Sequence, residues 1–167
     1  MPHLQGLGHV GIHCHDLDLM ADFYSRVLGL HIVDDQRESR GFVFLSSHPE
    51  SEHHEVFLCK GRNVDESAVL LHQVSFRAPE LEDVQEYVAI LKREGARIEH
   101  TVTHGMALSV YFFDPEGNRC EVYWDTQVRG KRAFLKPLDL ERPVDAVLAD
   151  AERLIADIPP LPEPAVA

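Results

Sequence analysis

Three side chains far apart along the chain have the chemistry of a divalent-metal site. His9 lies in the apolar segment GLGHVGIHC, His72 in AVLLHQVSFRA and Glu121 in RCEVYW. Two neutral imidazoles and one carboxylate on one side of an ion suit Fe(II), with Mn(II) as an alternative, and leave coordination positions open for substrate. A carboxylate that faces inward from an apolar strand also requires a partner. The three residues therefore predict a metal site, and an activity that falls at acid pH as the imidazoles become protonated.

The elements that must position these residues occur twice along the chain. Each half has the pattern of a strand, an amphipathic helix and three short strands, and Gly29 and Gly95 mark the ends of the two helices. The pattern predicts an α+β fold in which two βαβββ modules, about residues 5–60 and 68–126, form one open, curved mixed β-sheet around the metal. The three candidate ligands belong to the first and last strands of these modules, so the duplication is expected to bring them together.

The chain continues beyond the duplicated part. Residues 1–130 are predicted to form the domain, and residues 131–167 a C-terminal extension. The extension contains the segment ERPVDAVLADAERLIADI, whose apolar residues recur at helical spacing. We expect an amphipathic helix that packs on the domain or on a second subunit, followed by a Pro-rich tail without regular structure.

Composition restricts the class of function. The 167 residues carry a formal net charge of −12, which disfavours binding to nucleic acids. No apolar run has the length of a membrane span and the start lacks the pattern of a signal peptide, so a cytoplasmic protein without a membrane partner is expected. The three cysteines are an odd number without a CxxC motif, which favours buried thiols over a disulfide framework.

One hairpin carries more polar groups than a hairpin needs. The segment THGMALSVYFFDPEGNRCE places His104 and Tyr111 ahead of the turn Asp114–Gly117 and of Glu121. This order of residues resembles the signature of type I extradiol ring-cleaving dioxygenases, which belong to the vicinal oxygen chelate superfamily. The βαβββ duplication is similar to that superfamily over residues 6–126, and the similarity is greatest to its one-domain extradiol members.

The resemblance implies a reaction and a role for each residue of the site. Fe(II), with Mn(II) as the alternative, would be bound by His9, His72 and Glu121, and a small aromatic diol and O2 would be the substrates. The pair His53-His54 before the strand EVFLC matches a family motif in which one histidine is the acid/base, here His54. His104 and Tyr111 would hydrogen-bond the substrate. The site that the resemblance implies comprises His9, His54, His72, His104, Tyr111 and Glu121.

The implied activity is an oxidoreductase of aromatic-hydrocarbon catabolism, of the catechol 2,3-dioxygenase or 2,3-dihydroxybiphenyl dioxygenase type. The larger enzymes of this kind carry two such duplicated units, and this chain carries one. A homo-oligomer is therefore expected, since the contacts of the second unit are missing.

Two alternatives follow from the same fold. A metal-dependent lyase or isomerase similar to glyoxalase I would use Glu55 as a fourth ligand, because aligning EVFL with EVYW makes Glu55 the counterpart of Glu121. His54 and Glu55 cannot both face the metal from a regular strand, and His53 must face away if His54 faces inward. A non-catalytic module that sequesters a drug would not require the ligand set.

Overall fold

The computed structural model describes residues 6–65, 68, 71–129 and 134–160. The chain divides into two units, which are described one at a time. Unit 1 comprises Met1–Ala68 and Asp114–Gly117, and unit 2 comprises Val69–Phe113 and Asn118–Ala167.

The described residues of unit 1 form a four-stranded mixed sheet and one helix. The strand order is β1-β4-β3-β2, with β1 and β4 parallel and the other pairs antiparallel. The helix begins after Asp16, whose side chain accepts a hydrogen bond from Leu19 N at 2.9 Å. The elements are β1 (Val10–Cys14), α1 (Leu17–Asp22) continued by a π-helical segment (Phe23–Val27), β2 (His31–Gln36), β3 (Phe42–Ser46) and β4 (Val56–Lys60).

The turn between the last two strands of the second module belongs to unit 1. Glu116 Oε1 accepts hydrogen bonds from the backbone N–H groups of His15 and Asp16, both at 2.7 Å. A carboxylate at this position favours the start of α1, because the N–H groups of a first helical turn carry partial positive charge. The Tyr24 hydroxyl donates to Asp114 Oδ2 at 3.2 Å.

In unit 2 the part of the chain that the structure describes forms a five-stranded sheet and two helices. The strand order is β5-β8-β7-β6-β9, with β5 and β8 parallel. α2 begins with a capping box between Glu80 and Asp83, and Gly95 with φ +71° follows its end. The elements are β5 (Val74–Ala78), α2 (Leu81–Arg93), β6 (Ile98–Thr103), β7 (Ala107–Phe113), β8 (Arg119–Asp125), β9 (Lys136–Pro137) and α3 (Val144–Ala156).

Alternation along β7 separates the core of unit 2 from its open face. Leu108, Val110 and Phe112 are completely buried on the side of the sheet that carries the helix α2. Ala107 and Tyr111 project from the opposite side, since neighbouring residues of a strand point to opposite faces. The core thus fixes which side chains the sheet presents on its other face.

The structure confirms the α+β class and the two βαβββ modules. The described strands form two sheets, one in each module, where the sequence predicts one curved sheet. The short strand β9 was not predicted; it pairs with β6 through Val102 and Thr103. The C-terminal helix is confirmed, and its residues Val147, Ala151 and Ile155 are buried.

The structure bears on two further predictions, the Pro-rich tail and the absence of a membrane span, only within the described residues. Residues 161–167, most of the Pro-rich tail, lie outside the described residues. Each of the helices in the described ranges is too short or too polar to cross a membrane.

Leu108→Ala tests whether the central strand carries the core of unit 2. We expect a loss of about 2–5 kcal/mol in the free energy of unfolding, because a fully buried leucine is truncated. Denaturant titration measures this loss. Leu135→Ala, at a position 51% exposed in the same unit, should cost less than about 0.5 kcal/mol. Equal losses in the two variants would contradict the assignment of the core.

Candidate metal and substrate site

The open face of unit 2 carries a row of three polar side chains. Ser75 on β5 is the register partner of Glu121 on β8, and Glu121 is the partner of Tyr111 on β7. The next row on the same face begins with Arg77 and Tyr123, because side chains two residues apart on a strand share a face. These residues line one cavity of about 530 Å³.

Glu121 is a nearly buried carboxylate, with 5% of its surface exposed. Its Oε2 accepts hydrogen bonds from Ser75 Oγ at 2.6 Å and from Gln73 Nε2 at 2.9 Å. Burial of a charged carboxylate is unfavourable unless hydrogen bonds or a cation compensate the loss of water. Glu121 therefore has the environment of a group that receives a cation.

Tyr111 and His104 form a hydrogen-bonded pair beside this carboxylate. His104 Nδ1 lies 2.8 Å from the backbone oxygen of Phe134, and its Nε2 lies 3.0 Å from the Tyr111 hydroxyl. Because a carbonyl oxygen only accepts, Nδ1 of the neutral ring carries the proton and Nε2 accepts from Tyr111. Burial, followed by the interaction with the nearby Glu121 carboxylate, raises the pKa of Tyr111 well above its ordinary value.

Arg119 and His100 hold the ring of Tyr111 in place. The Arg119 guanidinium carbon lies 4.0 Å from the centre of the Tyr111 ring, and the His100 ring meets it at 5.1 Å. Arg119 also donates to Gln73 Oε1 at 3.0 Å and to Glu99 at 2.6 Å. The phenol is thus fixed by a cation and by two imidazoles before any substrate binds.

The strand register shows that His72 is not the internal counterpart of His9, although both were expected to be brought together by the duplication. β1 pairs Val10 with Val56, and β5 pairs Val74 with Cys120 at the corresponding position. His9 precedes Val10 as Gln73 precedes Val74, so the internal counterpart of His9 is Gln73. His72 is exposed and lies before β5. Its role as a ligand stays a prediction that rests on the family resemblance.

The same register corrects the alignment of EVFL with EVYW. Val56 is paired with Val10 at the start of β1, and Cys120 is paired with Val74 at the start of β5. Phe57 and Glu121 are the residues that follow, so Phe57 is the counterpart of Glu121 in unit 1. The helices explain the shift: the first has 6 α-helical and 5 π-helical residues, and α2 has 13. An alignment made through the ends of the helices is therefore displaced by two residues at the strands.

Unit 1 presents an aromatic surface where unit 2 presents the polar row. Phe57 is stacked on Phe44 with ring centroids 5.2 Å apart, and Phe42 meets Phe57 edge-on at 5.3 Å. Gly11 is the register partner of Phe57, and a Cβ at Gly11 would lie 2.9 Å from the Phe57 ring. The glycine thus allows this ring to lie flat across the strand.

His9 and His54 lie together at the edge of this aromatic surface. Their ring centroids are 4.4 Å apart, and the His54 ring meets Phe44 at 5.1 Å. Burial, followed by the charges of His9 and His53, lowers the pKa of His54. His54 is therefore a neutral imidazole at neutral pH, able to accept a proton.

The prediction that His53 faces away from His54 is wrong. The two Nδ1 atoms are 2.9 Å apart, and both rings contact Phe44. The physical reason is that β4 begins only at Val56, so the alternation of a strand does not apply to these histidines.

Glu55 has a structural partner in unit 1. Its Oε2 accepts hydrogen bonds from Ser47, from the backbone N at 2.7 Å and from the hydroxyl at shorter range. These bonds fix Glu55 to the end of β3, whereas His54 is the side chain that lies beside His9.

The predicted ligands are distributed over both units, with His9 in unit 1 and with His72 and Glu121 in unit 2. Among the described residues of either unit taken alone, no three His, Cys, Asp or Glu side chains form a group that could hold a metal ion. The donor chemistry fits a divalent ion nevertheless, because a nearly buried carboxylate and an exposed imidazole are groups that such ions bind.

Several residues of the site could not be found by motif. The pairing of neighbouring strands brings three of them, Gln73, Ser75 and Arg119, to the Glu121 carboxylate or the Tyr111 phenol. In the sequence, the only indication is that residues alternating with Glu121 on a strand share its face of the sheet. Phe134 belongs to the C-terminal extension and binds His104 through its backbone, which no side-chain pattern reveals.

His54→Gln tests the environment of the acid/base candidate in metal-free protein. Because the pKa of His54 is lowered from 6.5, the unfolded chain binds its proton more readily, and this contribution to stability is lost as the pH falls below that value. We expect wild-type protein to lose more stability than His54→Gln between about pH 7.5 and pH 5. Denaturant titration at each pH measures the difference.

The matched control is His31→Gln, an exposed histidine of the same unit. Its pH dependence should follow that of wild-type protein. A His54→Gln variant with the wild-type pH dependence would contradict the burial of this imidazole.

The chain is similar in sequence to a known protein family and to two named relatives. The model of the Glyoxalase/Bleomycin resistance protein/Dioxygenase superfamily matches residues 6–122. Two proteins of Rhodococcus globerulus named biphenyl-2,3-diol 1,2-dioxygenase 2 and 3 are 29% and 32% identical over 70% and 71% of this chain. The chain spans only 61% and 63% of the length of these two relatives.

A solved structure agrees at the level of the fold. The fosfomycin resistance protein FosX from Listeria monocytogenes superposes with a TM-score of 0.60 at 17% identity, over 75% of this chain and 94% of that one. At this identity the similarity concerns the fold alone. With 117 of its 167 residues matched by the family model, the chain belongs to the glyoxalase, bleomycin resistance protein and dioxygenase superfamily, which is the vicinal oxygen chelate superfamily.

Proposed function

We propose that the protein is an Fe(II)-dependent extradiol dioxygenase that inserts O2 into a catecholic substrate. The relatives named biphenyl-2,3-diol 1,2-dioxygenase support a dioxygenase, and the family supports a metal enzyme. The observation that carries the proposal is the grouping of Glu121, Tyr111 and His104 in one cavity of unit 2. A carboxylate alone would serve many reactions of this superfamily, whereas a phenol and an imidazole beside it suit a substrate with two ring oxygens.

His9, His72 and Glu121 are the proposed ligands of the ion. Iron bound by these groups supplies Lewis acidity, a template for diol and dioxygen, and a path for electrons between them. Gln73 and Ser75 have a different role, because their hydrogen bonds orient the Glu121 carboxylate. The ligand role of both histidines requires that they are neutral, so binding of the ion weakens at acid pH.

His54 is proposed to move the protons of the reaction. Its lowered pKa keeps the ring neutral, so that it can accept a proton from a diol hydroxyl and return it when the ring opens. The aromatic ring of Phe44 packs against the His54 ring and is itself stacked on Phe57, and such apolar neighbours favour the uncharged imidazole.

Tyr111 and His104 are proposed to hold a substrate oxygen. The phenol donates to His104 in the substrate-free state, and a substrate oxygen that carries developing negative charge can replace His104 as the acceptor. Because Arg119 lies on the Tyr111 ring, the phenol is held in position for this contact.

The glyoxalase-like alternative shares the family and the fold, and its fourth ligand is the point at which it is weaker. It requires Glu55 as a ligand, and the Glu55 carboxylate is bound to Ser47. A drug-sequestering module would leave the hydrogen-bonded Glu121 without a function. A homo-oligomer and a cytoplasmic location stay predictions.

The assay is performed on protein that has been purified without oxygen and loaded with Fe(II). We expect a yellow ring-cleavage product and uptake of oxygen when catechols are mixed with air-saturated buffer. Turnover of a hemithioacetal in place of any catechol would favour the isomerase, and tight binding of apolar ligands to a metal-free protein would favour the sequestering module.

Alanine variants distinguish the proposed metal ligands from Gln73, which orients the Glu121 carboxylate, and from His54, which moves protons. We expect His72→Ala to lose bound iron and Gln73→Ala to retain it, because the imidazole is a proposed ligand and the amide donates to Glu121. His54→Ala should retain iron and lose turnover by about 100-fold or more. Metal analysis after anaerobic dialysis and the assay above measure both properties. Retention by His72→Ala together with loss by Gln73→Ala would transfer the ligand role to Gln73, the counterpart of His9.

A further inference from the structure

Arg77, Arg119 and Arg129 lie on the open face of unit 2, and Arg119 and Arg129 donate hydrogen bonds to carboxylates. Arg129 donates to both carboxylate oxygens of Asp125, at 2.9 and 2.7 Å. Arg119 donates to Glu99 at 2.6 Å. The charge of each of these two guanidinium groups is therefore largely balanced at short range.

Arg77 differs from both. Its Nε donates to the Tyr123 hydroxyl at 3.2 Å, and its guanidinium lies 5.7 Å from the centre of that ring. This contact orients the guanidinium. The Asp125 carboxylate in the same cavity also attracts Arg77, but its hydrogen bonds go to Arg129 and it forms none with Arg77. Among the described residues, neither Nη group of Arg77 has a hydrogen-bond partner.

Tyr123 adds a second donor at the same place. Its oxygen accepts from Arg77, which leaves its own O–H for another acceptor, and the described residues provide none. Both side chains line the cavity that contains Glu121. A guanidinium and a phenol with unused N–H and O–H groups form a binding site for a carboxylate.

The distance from Glu121 suits a group at the far end of an aromatic ring. Arg77 and Tyr123 are register partners in the row next to Ser75 and Glu121. Two residues along a strand span about 7 Å, which is the length of a benzene ring with a substituent at each end. A diol bound at Glu121 would therefore place a para or meta substituent beside Arg77.

We propose that Arg77 and Tyr123 bind a carboxylate on the substrate, so that the protein acts on a catechol with an acidic side chain. This inference rests on the proposed function for the identity of the ring, and on the cavity of unit 2 for the anionic group. The formal net charge of −12 repels anions in general, so an acidic substrate requires a specific cation of this kind. The named relatives act on a neutral diol by their names, which makes the side chain a point of difference.

The test compares 3,4-dihydroxyphenylacetate with its uncharged amide, 3,4-dihydroxyphenylacetamide. Binding to the iron-loaded protein is measured by calorimetry without oxygen, so that no turnover is needed. We expect the acid to bind about 10- to 100-fold more tightly than the amide, as a charge-assisted hydrogen bond allows. The preference should decrease as salt is added.

Arg77→Gln and Tyr123→Phe identify the groups responsible. Arg77→Gln should reduce the acid-to-amide ratio of affinities by at least about tenfold, and Tyr123→Phe by a smaller factor. Arg153→Gln, at an exposed arginine of α3, makes the same change in net charge and should leave the ratio as in wild-type protein. Circular dichroism establishes that each variant is folded.

The outcomes separate the two proposals. Equal affinity for acid and amide, or an unchanged preference in Arg77→Gln, would overturn the carboxylate site even if neutral catechols are cleaved. Selective binding of the acid that depends on Arg77, without cleavage in air, would support the carboxylate site and contradict the dioxygenase.

Discussion

The burial of one carboxylate governs the arrangement of unit 2. Glu121 lies in the middle of β8 between two buried apolar residues, and its side chain points to the face of the sheet away from the core. Such a group destabilises a fold unless polar partners surround it. Ser75 and Gln73 donate to it, and Tyr111 occupies the register position beside it. The polar row is therefore a consequence of placing a charge on a sheet.

The two modules show how one fold serves two purposes. At the register position of Glu121, unit 1 has Phe57, and at that of Ser75 it has Gly11. One sheet presents stacked aromatic rings with two imidazoles at the edge, and the other presents a carboxylate, a phenol and a guanidinium that Tyr123 orients. Because the backbone pairing is the same, the difference resides entirely in the side chains that alternate onto the open faces. The two modules thus share one backbone arrangement and differ in the side chains on their open faces.

The sequence predicted the elements better than it predicted their exact correspondence. Helical spacing and the glycines at the helix ends were sufficient for the two modules and for the C-terminal helix, because these signals are local. The alignment of Glu55 with Glu121 was wrong. It was made through the ends of the helices, which differ in length between the two modules, whereas the strand pairing makes Phe57 the counterpart of Glu121. The contact between Phe134 and His104 was not predictable, because it joins a backbone oxygen to a residue thirty positions away. The unused donors of Arg77 became visible only once its neighbours were known.

The most direct test of the proposed metal site is the binding of Co(II) to wild-type protein and to Glu121→Gln, followed by absorption spectroscopy. The glutamine has nearly the same shape and can still accept from Ser75 and Gln73, so the metal-free variant should be at least as stable as wild-type protein. We expect one Co(II) per wild-type chain and binding weaker by at least about tenfold in the variant. A folded Glu121→Gln protein that binds Co(II) as tightly as wild-type protein, with the same spectrum, would contradict the proposal that Glu121 is a metal ligand.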